Sequence, residues 1–346
     1  MSRSQAEALR RIKRSLRVLL FGDDIRQRQL NPLTTSELEQ VRSIFPHPKF
    51  FIFGHARSGT TLLARLIRSH PEVHCNWQAH FFTRPPFLTS LIREADVEEW
   101  LSRRSNRWNQ GKDYSTVLLR SVCDFMLERE ARSLGKRIVG DKSPNNLVHG
   151  EAVRRLKVIY PDASMIYIVR DGRDAILSHV LQDFFDHPNR IPATERRIRR
   201  SFLHDPVPYF KRERSLFTLH TLQARAQDWI QNVQGTIEFG QRLYGQRFFY
   251  LRFEDLLLDP IKEIEALWDF LGASRATDTI RELVREEMKI MPDEERRLKQ
   301  MPYLASLRHR GTAGAWKVLF TDRDIALFHS VAGGTLLEHG YSLDSD

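Results

Sequence analysis

The residues best suited to chemistry stand where apolar, strand-like runs stop. Residues 54–61 read GHARSGTT, two glycines separated by four residues and followed by two threonines. A glycine-bounded turn gathers backbone N–H groups around one anion, and a helix starting there adds its unpaired N–H groups and positive dipole end. Arg57, Ser58, Gly59, Thr60 and Thr61 therefore form a candidate phosphate cradle. A triphosphate site would place lysine directly after the second glycine; Thr60 stands there, and the nearest cation is Arg57. Hydroxyls in the lysine position suit a single 5′-phosphate that carries one further anionic group. The competing reading is a plain strand-to-helix connector.

Two further stretches carry charge in the right setting. In MIYIVRDGRDAILSH, residues 165–179, an apolar strand ends at Arg170, and Asp174 is expected to cap the next helix with Ser178 one turn inside it. Arg170 and Ser178 then converge at the carboxyl edge of a sheet and can receive a second phosphate. In RHRGTAGAWKVLFT, residues 308–321, Arg308, Arg310 and Lys317 supply charge, while Gly311 and Gly314 permit close backbone approach before Trp316 and an apolar helix. Each stretch alone has an ordinary reading, as a salt bridge at a strand end or a loop over a buried tryptophan.

These residues require a scaffold that brings strand ends together. From Phe50 onward strand-like and helix-like segments alternate, which predicts an α/β fold with a central parallel sheet flanked by helices. Expected strands are 50–53, 72–75, 137–140, 164–169 and 248–252. Expected helices include 60–69, 151–160, 174–182, 216–243, 260–271 and 277–289. Ahead of this unit, residues 1–47 read as a helical extension, with a basic amphipathic helix over 1–21 and a second helix beginning near Thr35. Residues 183–214 break the alternation with four prolines and the basic bursts RRIRR and KRER. They read as a lid or an acceptor-facing insertion, with a solvated charged face as the alternative.

Composition narrows the classes. The chain has 346 residues, 41% hydrophobic, and a formal net charge of +10, enough for a large core and a bias toward anionic ligands. Its two cysteines argue against a disulfide framework or a cysteine-held zinc. No apolar stretch approaches the roughly 20 residues of a membrane span, so the expected location is cytoplasmic. The N-terminal basic helix leaves peripheral contact with an acidic membrane and homodimer formation open. The basic residues are dispersed rather than interleaved with aromatics, against a nucleic-acid partner.

Taken together and in this order, the three stretches resemble the sulfotransferases that use 3′-phosphoadenosine 5′-phosphosulfate (PAPS), over roughly residues 48–340. GHARSGTT is similar to their 5′-phosphosulfate loop in its bacterial and tyrosylprotein form, VRDGRDAILS to their 3′-phosphate element, and RGTAGAWK to their carboxyl-terminal R-K-G-x-x-G-x-W-K segment. The resemblance implies a P-loop-type catalytic domain over 48–346. It implies that Arg57, Ser58, Gly59, Thr60 and Thr61 hold the phosphosulfate, that Arg170 and Ser178 hold the 3′-phosphate with Arg310 and Gly311 assisting, and that no metal is needed.

The resemblance also marks Lys142, in GDKSPNN, as a catalytic cation beside Arg57. It further implies a glutamate two residues before a histidine after the second strand; the chain has Gln78, which cannot take a proton at neutral pH. His80, with an unperturbed pKa of about 6.5, becomes the expected base, against a reading in which it packs among Phe81 and Phe82. Asp141 and His179 are weaker alternatives. The expected activity is sulfuryl transfer to a hydroxyl or amine of an acceptor, whether small molecule, lipid, glycan or peptide. The alternatives are a P-loop kinase or a non-catalytic nucleotide-binding protein of the same fold.

Overall fold

In the computed structural model residues 30–92, 94–290 and 313–344 are described. The basic segment 1–21, Arg310 and Gly311 lie outside them. Five strands form one sheet: β1 (Lys49–Phe53), β2 (Val73–Trp77), β3 (Ile138–Lys142), β4 (Ser164–Val169) and β5 (Phe248–Arg252). Their order is β2-β3-β1-β4-β5, and every pairing is parallel. All five lie where the alternation predicted them, displaced by no more than two residues.

The central strands β1 and β4 read as continuous apolar runs because both faces are covered. Side chains of a strand point alternately to opposite faces, and β1 shows it: Phe51 and Phe53 join one core, Phe50 and Ile52 the other. The same division sends Met165, Tyr167 and Val169 of β4 one way and Ile166 and Ile168 the other. One core packs beneath the helices Glu151–Ile159, Leu219–Tyr244 and Asp322–Glu338; the other lies under Thr60–Ile67, Pro260–Leu271 and Asp278–Lys289.

With β1 in the centre, the chain first fills the β3–β2 side and then crosses to β4 and β5. Strand order therefore reverses next to the carboxyl end of β1, and such a reversal opens a crevice between diverging loops. GHARSGTT leaves β1 there, Lys142 ends β3 beside Ile52, and Arg170 follows β4. Parallel registry sets the three chemistry-bearing stretches along one edge.

The extension is anchored where it is described. The helix Thr35–Ile44 opens with a capping box between Thr34 and Glu37, and Arg42 pairs with Asp162 at 2.8 Å. The segment 183–214 contains the helices Ala193–His204 and Val207–Phe210; its prolines occupy first turns or precede them, where a missing N–H costs nothing. One feature departs from expectation. The helix expected to be capped by Asp174 instead begins at Gly172, and Asp171 caps it by accepting from the Arg173 N–H.

Candidate functional site

The loop after β1 is built around two close approaches. A Cβ on Gly54 would stand 2.7 Å from the Ile168 carbonyl oxygen, so only glycine lets the loop pass over β4. Gly59 has φ +87°, and a Cβ there would meet the Phe253 ring at 2.1 Å. Arg57 also adopts a left-handed φ of 72°, a strain that concentrates at functional sites. Gly59 is the N-cap of the helix Thr60–Ile67 and has no side chain to cap it, so the first-turn N–H groups face the loop. Inside this cradle the fully buried Ser58 Oγ finds no hydrogen-bond partner among the described residues. Convergent N–H groups and an orphaned hydroxyl fit a phosphate-like anion.

A cation stands on each side. Arg57 Nε donates to Ser178 Oγ at 3.1 Å, while Arg170 Nη1 donates to the Arg57 carbonyl at 3.0 Å. The structure thus brings Arg170 and Ser178 to one edge, as their spacing suggested, and sets Arg57 between them. The Arg170 guanidinium also lies 4.9 Å from the Phe253 ring centre, so one aromatic ring supports both the arginine and the Gly59 turn. Phe253 was missed in the sequence. Its signal was its place, directly after β5 at the carboxyl edge.

On the β3 side, buried Lys142 donates from Nζ to Thr61 Oγ1 at 3.2 Å and lies 5.1 Å from the ring centre of Trp77. Burial, opposed by Cys75 and Asp141 and reinforced by Arg57, lowers its pKa from 10.5 to about 8. A desolvated ammonium at a helix N-terminus is stabilised by an incoming anion.

The turn after β2 is clamped to the end of β3. The Gln78 N–H donates to the Lys142 carbonyl, the Ala79 N–H to Asp141 Oδ1, and the His80 N–H to Ser143 Oγ, at 2.8, 3.1 and 2.9 Å. Gln78 and His80 both take φ of 53°. Gln78 is exposed, whereas the His80 ring turns inward with Nδ1 2.7 Å from Thr83 Oγ1. Its Nε2 is enclosed and has no partner among the described residues. Burial, then Arg84 and Lys142, lowers the His80 pKa to about 4, so the ring is neutral at pH 7. Asp141 is raised to about 6 by burial and accepts from Ser143 Oγ at 2.5 Å as well as from Ala79. His179 lies 3.9 Å from Asp183, which also meets Arg225 at 3.4 Å.

Asp174 serves another element. Its carboxylate accepts from the Gly314 N–H at 2.7 Å and the Trp316 N–H at 2.9 Å, which fastens the third stretch to the second. Trp316 then covers Arg173, whose guanidinium pairs with Asp171 at 2.7 Å. Arg173 is consumed in structure, while Arg170 faces the loop. No helix of the described residues is long and apolar enough to cross a membrane.

Comparison with known proteins bears on this edge of the sheet. A family model described as "Sulfotransferase family" matches residues 48–205, which contain the cradle, Lys142, Arg170 and Ser178. Protein-tyrosine sulfotransferase A of Caenorhabditis elegans is 28% identical over 135 residues, 38% of this chain and 32% of the relative. Heparan sulfate glucosamine 3-O-sulfotransferase 3B1 of Mus musculus is 23% identical over 231 residues, 66% of this chain and 47% of the relative. The chain spans only 20% to 35% of the first five curated relatives it matches. Among solved structures, mouse sulfotransferase SULT7A1 complexed with PAP aligns over 88% of this chain and 91% of that one, at 16% identity and a TM-score of 0.46.

Proposed function

We propose, from the premise that residues 48–205 are a sulfotransferase-family segment, that the protein moves a sulfuryl group from PAPS to a hydroxyl or amine of an acceptor. The observation that carries this reading is one helix N-terminus flanked by two tethered cations. Lys142 is bonded to Thr61 on one side, and Arg170 is bonded to the loop carbonyl of Arg57 on the other. A ligand with phosphosulfate at one end and a 3′-phosphate at the other offers an anion to each cation. We take the catalytic unit to run from residue 48 to 346, since Asp174 binds the 313–316 segment into the same site.

In this reading Arg57, Ser58, Gly59, Thr60 and Thr61 hold the 5′-phosphosulfate, and Arg170 and Ser178 hold the 3′-phosphate. Arg310 and Gly311 are assigned to assist from the third stretch. The donor supplies the sulfuryl group and a phosphate leaving group. Sulfuryl transfer, like phosphoryl transfer, is an in-line displacement at an oxyanion centre, and positioning and charge stabilisation account for most of its catalysis. Lys142 and Arg57 contribute positive charge, and the first-turn N–H groups of Thr60–Ile67 contribute fixed dipoles that need no reorganisation.

Proton removal is assigned to His80, as a weaker base than its unperturbed pKa suggested, because burial lowers that pKa to about 4 and encloses Nε2, which an acceptor must uncover. In the tautomer this role requires, Nδ1–H donates to Thr83 Oγ1 and Nε2 carries the lone pair, with no other partner among the described residues. The three bonds that clamp residues 78–80 to β3 fix that ring relative to Lys142. Asp141 is engaged by Ser143 and Ala79 and is assigned to hold the clamp.

The test is calorimetric titration with adenosine 3′,5′-bisphosphate in the absence of magnesium, followed by radiolabelled sulfuryl transfer into acceptor panels. Tight metal-independent binding is expected. Binding of ATP with magnesium but not of the bisphosphate would overturn the assignment.

A further inference from the structure

The insertion carries a charged feature that donor binding and transfer do not use. Pro188, Asn189, Arg196, Arg199 and Arg200 line a cleft of about 370 Å³. Arg196, Arg199 and Arg200 follow i, i+3, i+4 spacing on the helix Ala193–His204, so they share one face. Arg196 Nε donates to the Ile191 carbonyl at 3.2 Å and Arg199 Nε to the Phe184 carbonyl at 2.8 Å. These backbone bonds point two guanidinium groups without neutralising them. Among the described residues none of the three arginines has a carboxylate partner; buried Glu195 on the same helix lies 3.8 Å from Arg225 instead. Like charges gathered on one concave wall repel one another, and an anion in the cleft removes that cost.

The cleft is coupled to the proposed site through one helix. Gly172–Asp186 carries Ser178 in its second turn and ends two residues before Pro188. From Ser178 to Asp186 the helix advances about 12 Å. Asp183, between them, is fastened to the core by Arg225 at 3.4 Å.

We propose that this cleft binds a compact oxyanion of sulfate, phosphate or carboxylate chemistry, at a site separate from the donor cradle. The same chemistry is presented by an anionic group carried on the acceptor or by a free anion. Binding itself does not rest on the sulfotransferase reading; only its coupling to turnover does.

The experiment uses the full chain with its donor site saturated by adenosine 3′,5′-bisphosphate, titrated with inorganic pyrophosphate by calorimetry. One additional site is expected, weakening as salt is raised. Arg196→Ser/Arg200→Ser should lower its affinity by about tenfold or more, while Arg197→Ser, on the same helix but off the cleft, leaves it intact and controls for folding. Absence of the extra site, or equal effects of the two variants, overturns the proposal. Transfer assays with an acceptor found by screening then separate the sources. Pyrophosphate that raises the acceptor KM alone identifies an acceptor-borne anion, and pyrophosphate that changes kcat alone identifies a free one. Bound pyrophosphate that changes neither removes the cleft from function.

Discussion

Replacing Lys142 with methionine should make the protein more stable and nearly inactive at once. The lysine is buried and its pKa is lowered from 10.5 to about 8, chiefly by desolvation. That displacement corresponds to about 3 kcal/mol of destabilisation from holding the charge at pH 7. The sign follows from proton counts. Between pH 8 and 10.5 the unfolded chain binds more protons, so stability rises with pH across that window and the cost is fully present below it. Losing the hydrogen bond to Thr61 Oγ1 returns about 1 kcal/mol. Lys142→Met is therefore expected to gain about 2 kcal/mol at pH 7, and almost nothing at pH 10, where linkage leaves a cost under about 1 kcal/mol. If Lys142 stands at the reacting oxygens as proposed, removing its charge should lower kcat by about 10²- to 10³-fold. Denaturant unfolding of parent and variant at pH 7 and pH 10, with transfer rates measured alongside, tests both halves. A variant destabilised by the same amount at both pH values would refute the reasoning, because the lysine would then be a satisfied structural cation.

Three other outcomes follow from the site. Arg170→Ala should weaken adenosine 3′,5′-bisphosphate by about 30-fold or more while changing adenosine 5′-phosphosulfate little; equal losses by calorimetry would remove Arg170 from the 3′-phosphate. Asp174→Asn retains one acceptor oxygen for the two N–H groups of Gly314 and Trp316. It should release the third stretch and reduce bisphosphate affinity about fivefold or more, and unchanged affinity would detach that stretch from the donor. Because the His80 pKa is lowered to about 4 by burial, with Arg84 and Lys142 adding to it, the ring stays unprotonated down to that pH. The His80 ring itself should cause no fall in kcat/KM between pH 7 and pH 5; a fall near pH 6 belongs to Asp141 and Asp174, both raised to about 6 by burial, and His80→Ala should reduce kcat/KM. A fall near pH 6.5 that vanishes in His80→Ala would refute the lowered pKa, and full activity in the variant would point to another base.

Much of the fold is legible because its central strands are buried on both faces. Runs such as FFIF and MIYIV are continuously apolar, and the glycines and prolines between them mark where each ends. The long helix Ser115–Ser133 escapes the same reading. Its inner face carries Arg120, Asp124 and Glu128, which are satisfied at 2.7, 3.6 and 2.6 Å by Asp162 and Lys49 from distant segments. The buried Leu119, Cys123, Leu127 and Ala131 form a stripe only one residue wide beside these charges, so the charged half of the inner face reads as solvent-facing from pattern alone. Asp174 was misread for a related reason: it stands where a helix cap belongs, but its partners are 140 residues and more away.

By itself the sequence determined which residues can meet an anion: a glycine-bounded loop without its lysine, and arginines placed at strand ends. Local backbone chemistry requires that much, since a left-handed turn needs Gly59 and a helix start exposes its N–H groups. Only the tertiary structure decided which of those residues act together. Parallel registry carried Lys142 to Thr61 and Arg170 to the Arg57 carbonyl, and β5 brought Phe253 under both the loop and the arginine. It also separated Arg170, beside the loop, from Arg173, locked to Asp171 beneath Trp316, and turned His80 inward while leaving Gln78 exposed. Those outcomes depend on long-range pairing and burial, which set a side chain's partners and its protonation, and neither is written in the spacing of residues along the chain.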